Sequence, residues 1–215
     1  MTVLIWIPVP KFFPAAVLFL ILATGTPLPA TAENQLASAS ATFNDIGINR
    51  SRHGDLNGAI KAFTRAIELK PDNAEAYHNR AITQIRKGAY GDAVSDLNRA
   101  IRIDPKNSRF FFSRGNAEKG MRRYDAAIAD YSEAIELDPR NDHAYNNRAN
   151  ARRLKGDLGG ALADFSKAIE INPENMDAYY NRSLVRRKAG DLPGSEADLT
   201  RAKELKAKSV RREVP

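Results

Sequence analysis

Proline recurs every 34 residues in this chain, at Pro71, Pro105, Pro139 and Pro173, and the segments between these prolines match one another almost position by position. A fixed period of this length predicts a stack of two-helix units. No unit can bury its apolar face alone, so neighbours must cover one another in a continuous row. The predicted fold is therefore all-α. It offers an extended concave wall rather than one deep catalytic pocket.

Numbering each unit so that its proline is position 32 gives five units, 40–73, 74–107, 108–141, 142–175 and 176–209, behind a short polar lead-in at 33–39 and ahead of a basic tail at 210–215. Position 4 is always aromatic: Phe43, Tyr77, Phe111, Tyr145, Tyr179. Positions 8 and 20 are small in every unit, from Gly47 and Ala59 to Ser183 and Ser195. Position 24 is large: Phe63, Leu97, Tyr131, Phe165, Leu199. Position 27 is alanine in all five units. These spacings place one apolar stripe on each of two helices, with large residues filling the small notches opposite.

The unit boundaries carry matching signals. Gly54, Gly88, Gly156 and Gly190 stand where the first helix must stop and the chain must turn left-handed. Asp55, Asp157 and Asp191 follow as caps for the second helix, and Asn73, Asn107, Asn141 and Asn175 precede the next first helix as caps. The third unit departs from this, with Arg122 at the glycine position and Gly120 two residues earlier, which predicts a shifted or strained turn. In the last unit Glu196, Lys203 and Ala207 replace two apolar residues and the proline, giving the polar outer face that a terminal repeat needs. The stack is expected to end there, with 210–215 frayed.

The aromatic, small, small, large, alanine and proline positions resemble the tetratricopeptide repeat family over 40–209. The resemblance implies antiparallel helix pairs wound into a right-handed superhelix, with positions 2, 5, 6, 9, 12 and 13 of each first helix facing a groove. It also implies a partner that is a protein or peptide.

Position 7 reads Ile46, Arg80, Arg114, Arg148, Arg182, and position 23 reads Ala62, Asp96, Asp130, Asp164, Asp198. The unit that lacks the arginine also lacks the aspartate. An Arg–Asp pair inside each unit explains both rows better than an anion-binding ladder does.

In the groove, position 6 supplies Asn79, Asn147 and Asn181, interrupted by Asp45 and Ser113, and position 9 supplies Asn116 and Asn150. An asparagine amide can accept from a peptide N–H and donate to a peptide C=O, so such a row would hold an extended backbone without reading its side chains. The arrangement is similar to the asparagine ladder in the repeat region of O-linked N-acetylglucosamine transferases. The alternative is that these asparagines are simply solvated. Lys119, Arg153 and Arg187 at position 12, with Arg152 and Arg186 beside them, bias that end of the groove toward acidic ligands. Part of this charge also suits helix C-termini. Phe112 and Tyr180 at position 5 are expected to give stacking or apolar surface. The clamp by which some family members hold a chaperone's terminal carboxylate is not expected. Its positions read Phe112, Asn116, Asn147, Asp177 and Asn181, without the cations.

Residues 1–32 are different material: Lys11 is their one charge, an apolar run spans Ala15 to Ala23, and Ala30-Thr31-Ala32 follows Pro27 and Pro29. This is the layout of a secretory signal peptide with Glu33 as the mature start. The alternative is an uncleaved N-terminal membrane anchor, against which Pro8, Pro10 and Pro14 interrupt the roughly 20 apolar residues a span needs. Export to a bacterial periplasm or beyond the cell is the expectation.

There is no cysteine, which excludes disulfides and thiolate metal sites. His53, His78 and His143 have no metal-ligand spacing, and His78 is read as a solvated polar residue. No phosphate loop, serine elbow or catalytic carboxylate pair is found, so neither catalysis nor a cofactor or metal is expected. The net charge of +7 is spread over helix ends among acids, which argues against nucleic-acid binding. The expected function is an exported adaptor that binds an extended, acidic-leaning segment. The alternatives are a structural subunit of an envelope complex acting through its outer faces, or an accessory factor for polysaccharide processing.

Overall fold

The computed structural model describes residues 29–213. The signal-peptide expectation for 1–32 falls, up to residue 28, outside the described residues. Within them the chain forms ten helices in five antiparallel pairs: α1 (Ala30–Arg52) with α2 (Leu56–Leu69), α3 (Ala74–Arg86) with α4 (Tyr90–Ile103), α5 (Ser108–Gly120) with α6 (Tyr124–Leu137), α7 (Asp142–Lys155) with α8 (Leu158–Ile171), and α9 (Met176–Lys188) with α10 (Leu192–Glu213). No helix among the described residues is long and apolar enough to cross a membrane.

The notches work as their pattern requires. A Cβ on Gly47 would lie 2.5 Å from the Phe63 ring, and one on Gly115 would lie 2.7 Å from the Tyr131 ring. The alanines at position 27 and the small residues at position 20 are buried throughout. Helices α2, α4, α6 and α8 each stop two residues before the repeating proline, whose preceding residue is pushed out of helical geometry.

The caps are formed by the residues named for them. The N–H groups of Ala76, Ala144 and Ala178 donate to Asn73, Asn141 and Asn175 at 2.9–3.0 Å, and that of Arg109 donates to Asn107 at 3.3 Å. Those of Gly58, Gly160 and Gly194 donate to Asp55, Asp157 and Asp191 at 2.8–2.9 Å.

One open alternative is decided and two places differ from expectation. The third turn is strained rather than shifted: Arg122 itself takes the left-handed conformation, at φ 60°, that glycine takes in the other units. Gly120 serves another purpose, because a Cβ there would lie 2.5 Å from the Tyr90 ring. Residues 33–39, expected as a lead-in, are helical and continue α1 toward its N-terminus. The predicted mature start, Glu33, lies in the first turn of that helix. Finally, α10 runs to Glu213, so residues 210–213 are helical rather than frayed. Ala207 stands where the other units have the proline that stops them.

Each position-7 arginine lies on its own unit's aspartate: Arg80 on Asp96 at 2.7 Å, Arg114 on Asp130 at 2.6 Å, Arg148 on Asp164 at 2.8 Å and Arg182 on Asp198 at 2.7 Å. The third guanidinium nitrogen donates to position 25 of the preceding unit, at Thr64, Asn98, Ser132 and Ser166. The guanidinium also sits over the position-4 ring, 5.5–5.7 Å from its centre. One side chain therefore closes its own helix pair and ties it to the pair before. These arginines are structural, and none is left open for an anion.

Candidate functional site

The first helices of successive pairs touch one another, α1 with α3, α3 with α5, α5 with α7 and α7 with α9, whereas the second helices of successive pairs do not. The stack therefore curves with the first helices on its inner face. Positions 5, 6, 9 and 12 of those helices build the candidate site.

Most of the amides at positions 6 and 9 are engaged with neighbouring groups, and one pair of them with each other. Asn79 Nδ2 donates to Asn44 Oδ1 at 3.0 Å. Asn147 Nδ2 donates to Asn116 Oδ1 at 2.9 Å, and the same oxygen accepts from the Tyr131 hydroxyl at 2.8 Å. Burial, together with the Asp130 charge, raises the pKa of that phenol, so it stays a donor. Asn150 Nδ2 donates to the Asn146 carbonyl at 3.2 Å, and its Oδ1 accepts from Arg153 Nη2 at 3.4 Å. Asn181, half-buried, makes no side-chain hydrogen bond among the described residues. The row thus crosses from helix to helix and is internally bonded at several of its rungs.

The two position-5 aromatics part company. Tyr180 is 50% exposed and can offer its face. Phe112 is half-buried, its ring 5.9 Å from that of Tyr131 and packed on the buried Ala127 and Ala151, so it is a wall of the core rather than an open platform.

The cations also divide. Arg152 and Arg186, grouped with the groove from sequence, are tied to Asp164 at 2.8 Å and Asp198 at 3.1 Å. Both also donate to backbone carbonyls of the second helix, of Gly160 and Gly194. Arg187 is exposed, and it forms no ion pair among the described residues. Arg153 is half-buried with its Nε sealed from water and without an acceptor. Lys119 is half-buried without an ion pair or hydrogen bond among the described residues, and burial lowers its pKa.

His78 is not solvated as expected; it is 3% exposed. Its ring packs 5.0 Å from Phe110. Arg109 Nη2 can only donate, so it fixes His78 Nδ1, 3.3 Å away, as the acceptor. The proton then sits on Nε2, which donates to Ser113 Oγ at 2.9 Å. Burial, then the Arg109 charge, lower its pKa to about 4. The signal for this cluster was Phe110, which fills position 3 where the next two units carry alanine. Among the described residues no group of His, Asp and Glu is placed to hold a metal ion.

Family models described as tetratricopeptide repeat match residues 112–175, 155–210 and 74–107, and one described as TPR repeat matches 52–88. Among solved structures, that of MamA is similar with a TM-score of 0.71 at 24% identity, covering 77% of this chain and 97% of that one. MamA from Desulfovibrio magneticus RS-1 gives 0.72 at 16% identity, covering 82% of this chain and 98% of that one. YrrB, described as a TPR protein with an unusual peptide-binding site, gives 0.63 at 21% identity, covering 76% of this chain and 84% of that one. These likenesses concern the fold. A comparison with curated proteins found no match.

Proposed function

The chain belongs to the tetratricopeptide repeat family, whose fold is a scaffold for protein interaction, and from that premise we propose that it binds an extended segment of a partner protein along its inner face. The observation that carries this reading is the unused hydrogen-bonding capacity of the inner asparagines. Asn181 has all its amide atoms unbonded among the described residues, and Asn79 and Asn147 bond through Nδ2 alone. Successive first helices lie roughly 8–10 Å apart and an extended chain advances about 3.3 Å per residue. One amide per helix therefore meets the ligand backbone at about every third residue. Asn79 and Asn147 would accept from peptide N–H groups through Oδ1. Asn181 would accept and donate together, with Asn116 and Asn150 supporting the row.

Tyr180 supplies an apolar contact at the last unit and Arg187 an exposed positive charge, while Phe112 backs the row from below. YrrB, of similar fold, is described as having a peptide-binding site, which supports a peptide as the class of ligand. The role proposed is binding, not catalysis. The Lys11, Ala15–Ala23 and Ala30–Ala32 layout supports action outside the cytoplasm, with the partner in the same compartment.

The experiment is affinity capture with the full-length chain beside two variants, Asn181→Ala and the triple Asn79→Ala/Asn147→Ala/Asn181→Ala. Asn181→Ala breaks no internal bond, so its melting should be unchanged. A partner weakened by Asn181→Ala and lost with the triple variant supports the groove. A partner held equally by all three proteins rejects it and places binding on the outer faces.

A further inference from the structure

The ladder bonds reveal the register between neighbouring first helices. Position 6 of the fourth unit reaches position 9 of the third, Asn147 to Asn116. One helical turn further along both helices, Asn150 comes beside Lys119. One more turn along α7 brings Arg153, whose Nη2 donates to Asn150 Oδ1. Lys119, Asn150 and Arg153 therefore form one cluster on the inner face between α5 and α7.

This cluster breaks a rule that the other half-buried arginines among the described residues keep. The half-buried arginines of the same two helices have carboxylates: Arg114 has Asp130, and Arg148 and Arg152 share Asp164. Lys119 and Arg153 have none among the described residues. The Arg153 Nε is sealed from water and unbonded, and its one hydrogen bond is a long contact to a neutral amide. Two partly desolvated charges, neither with an anion beside it, disfavour the free protein. An incoming anion would relieve that desolvation. The guanidinium offers a planar fork and the ammonium a point charge, which together suit a carboxylate.

Resting on the peptide-groove reading above, we propose that Lys119 and Arg153 form the subsite that receives a carboxylate of the bound segment, with Asn150 orienting Arg153. This is where the groove discriminates acidic from neutral ligands. The carboxylate is either an Asp or Glu side chain or the terminal group of the partner chain. The site lies at positions 12 of two consecutive units, away from the positions of the chaperone-carboxylate clamp.

The test uses the full-length chain and fluorescence anisotropy with short labelled peptides of equal length: Glu-rich with an amidated end, Gln-rich with an amidated end, Gln-rich with a free carboxyl end, and Lys-rich. The expectation is that Glu-rich or free-ended peptides bind at least about tenfold tighter than the amidated Gln-rich one. Which of the two shows the gain identifies the source of the carboxylate. Lys119→Gln and Arg153→Gln should each remove most of that discrimination, costing the favoured peptide far more affinity than the amidated Gln-rich one. Lys61→Gln, which removes the same charge from the exposed surface of α2, should leave discrimination intact. Lys119→Met should also raise the melting temperature of the free protein, since it removes an unpaired, half-buried charge, and that readout needs no ligand. If every peptide binds equally and the two variants change nothing, the subsite is overturned while the groove reading stands. If no peptide binds at all, both fall.

Discussion

Gly115 and Tyr131 are in direct contact across the third helix pair, so close that a Cβ on the glycine would lie 2.7 Å from the ring. Tyr131 is fully buried and has no open side to retreat to, and its hydroxyl holds Asn116 on the inner face. Gly115→Ala should therefore overpack the core by about 1–3 kcal/mol. It should also displace Asn116 from Asn147. The measurement is urea unfolding of the variant beside Tyr131→Phe, which removes the hydroxyl without filling space. Loss of stability in the alanine variant close to zero would mean that the pair is looser than its geometry indicates.

Arg122 holds a conformation that suits glycine, and its side chain makes no hydrogen bond or ion pair among the described residues to compensate for it. Left-handed geometry costs an L-residue about 1–2 kcal/mol, and part of the gain on changing to glycine is lost to the greater freedom of the unfolded chain. Arg122→Gly should stabilise the protein by roughly 0.5–1 kcal/mol. Thermal melting of the single variant checks it, and Gly156→Arg in the next unit should shift the melt in the opposite direction.

The parts of the fold legible in the sequence are those that every unit repeats. The Asn and Asp caps, the glycine turns and the joint absence of arginine and aspartate in the first unit could all be read because one unit served as control for another. Single departures could not be read this way. The burial of His78 depends on Phe110 and Arg109, which have no counterpart in other units. The extension of α1 over 33–39 lies ahead of the first repeat, where no period applies. The candidate site was half legible: the family resemblance implied that positions 6 and 9 face the groove and so placed asparagines on the inner face, but their bonding follows the register between helices of different units. Asn79 reaches position 5 of its neighbour while Asn147 reaches position 9, a choice that no single-unit pattern contains. The same limit concealed that Arg152 and Arg186 turn to the aspartates of the second helices while Arg153 does not.

Asp164 differs from Asp96 in the number of cations that depend on it. Asp96 accepts from Arg80, whereas Asp164 accepts from both Arg148 and Arg152 at 2.8 Å. Removing one partner of a buried ion pair costs about 3–5 kcal/mol because the other charge stays desolvated. Asp164→Ala should fall at or beyond the upper end of that range and Asp96→Ala near its lower end. The double change Arg80→Met/Asp96→Leu should recover most of the single-variant loss, since neither charge remains. Urea unfolding of the four proteins settles the order. Equal losses for the two alanine variants would show that Arg152 finds other compensation in Asp157, 3.9 Å away.

His78 makes the stability depend on pH with a definite sign. Its pKa is about 4 in the folded protein, against an ordinary 6.5 that the unfolded chain retains. Between those values the unfolded state takes up a proton that the folded state refuses. Stability contributed by neutral His78 is therefore fully present above pH 6.5 and is lost as the pH falls toward 4. The size of the loss is about 3 kcal/mol, since each tenfold drop in proton affinity on folding is worth about 1.4 kcal/mol. The neighbours that face the ring agree with this direction, since Arg109 opposes protonation at 3.3 Å more closely than Glu75 favours it at 3.9 Å. The measurement is a difference between two proteins. Denaturant unfolding of the full-length chain and of His78→Gln, each at pH 7.5 and at pH 4.5, isolates the histidine's share. Glutamine can still donate to Ser113 but cannot take up a proton, so the variant should lose less stability on acidification than the unmodified chain. Equal losses in the two proteins would mean that His78 is protonated in the folded state, with Glu75 rather than Arg109 governing it.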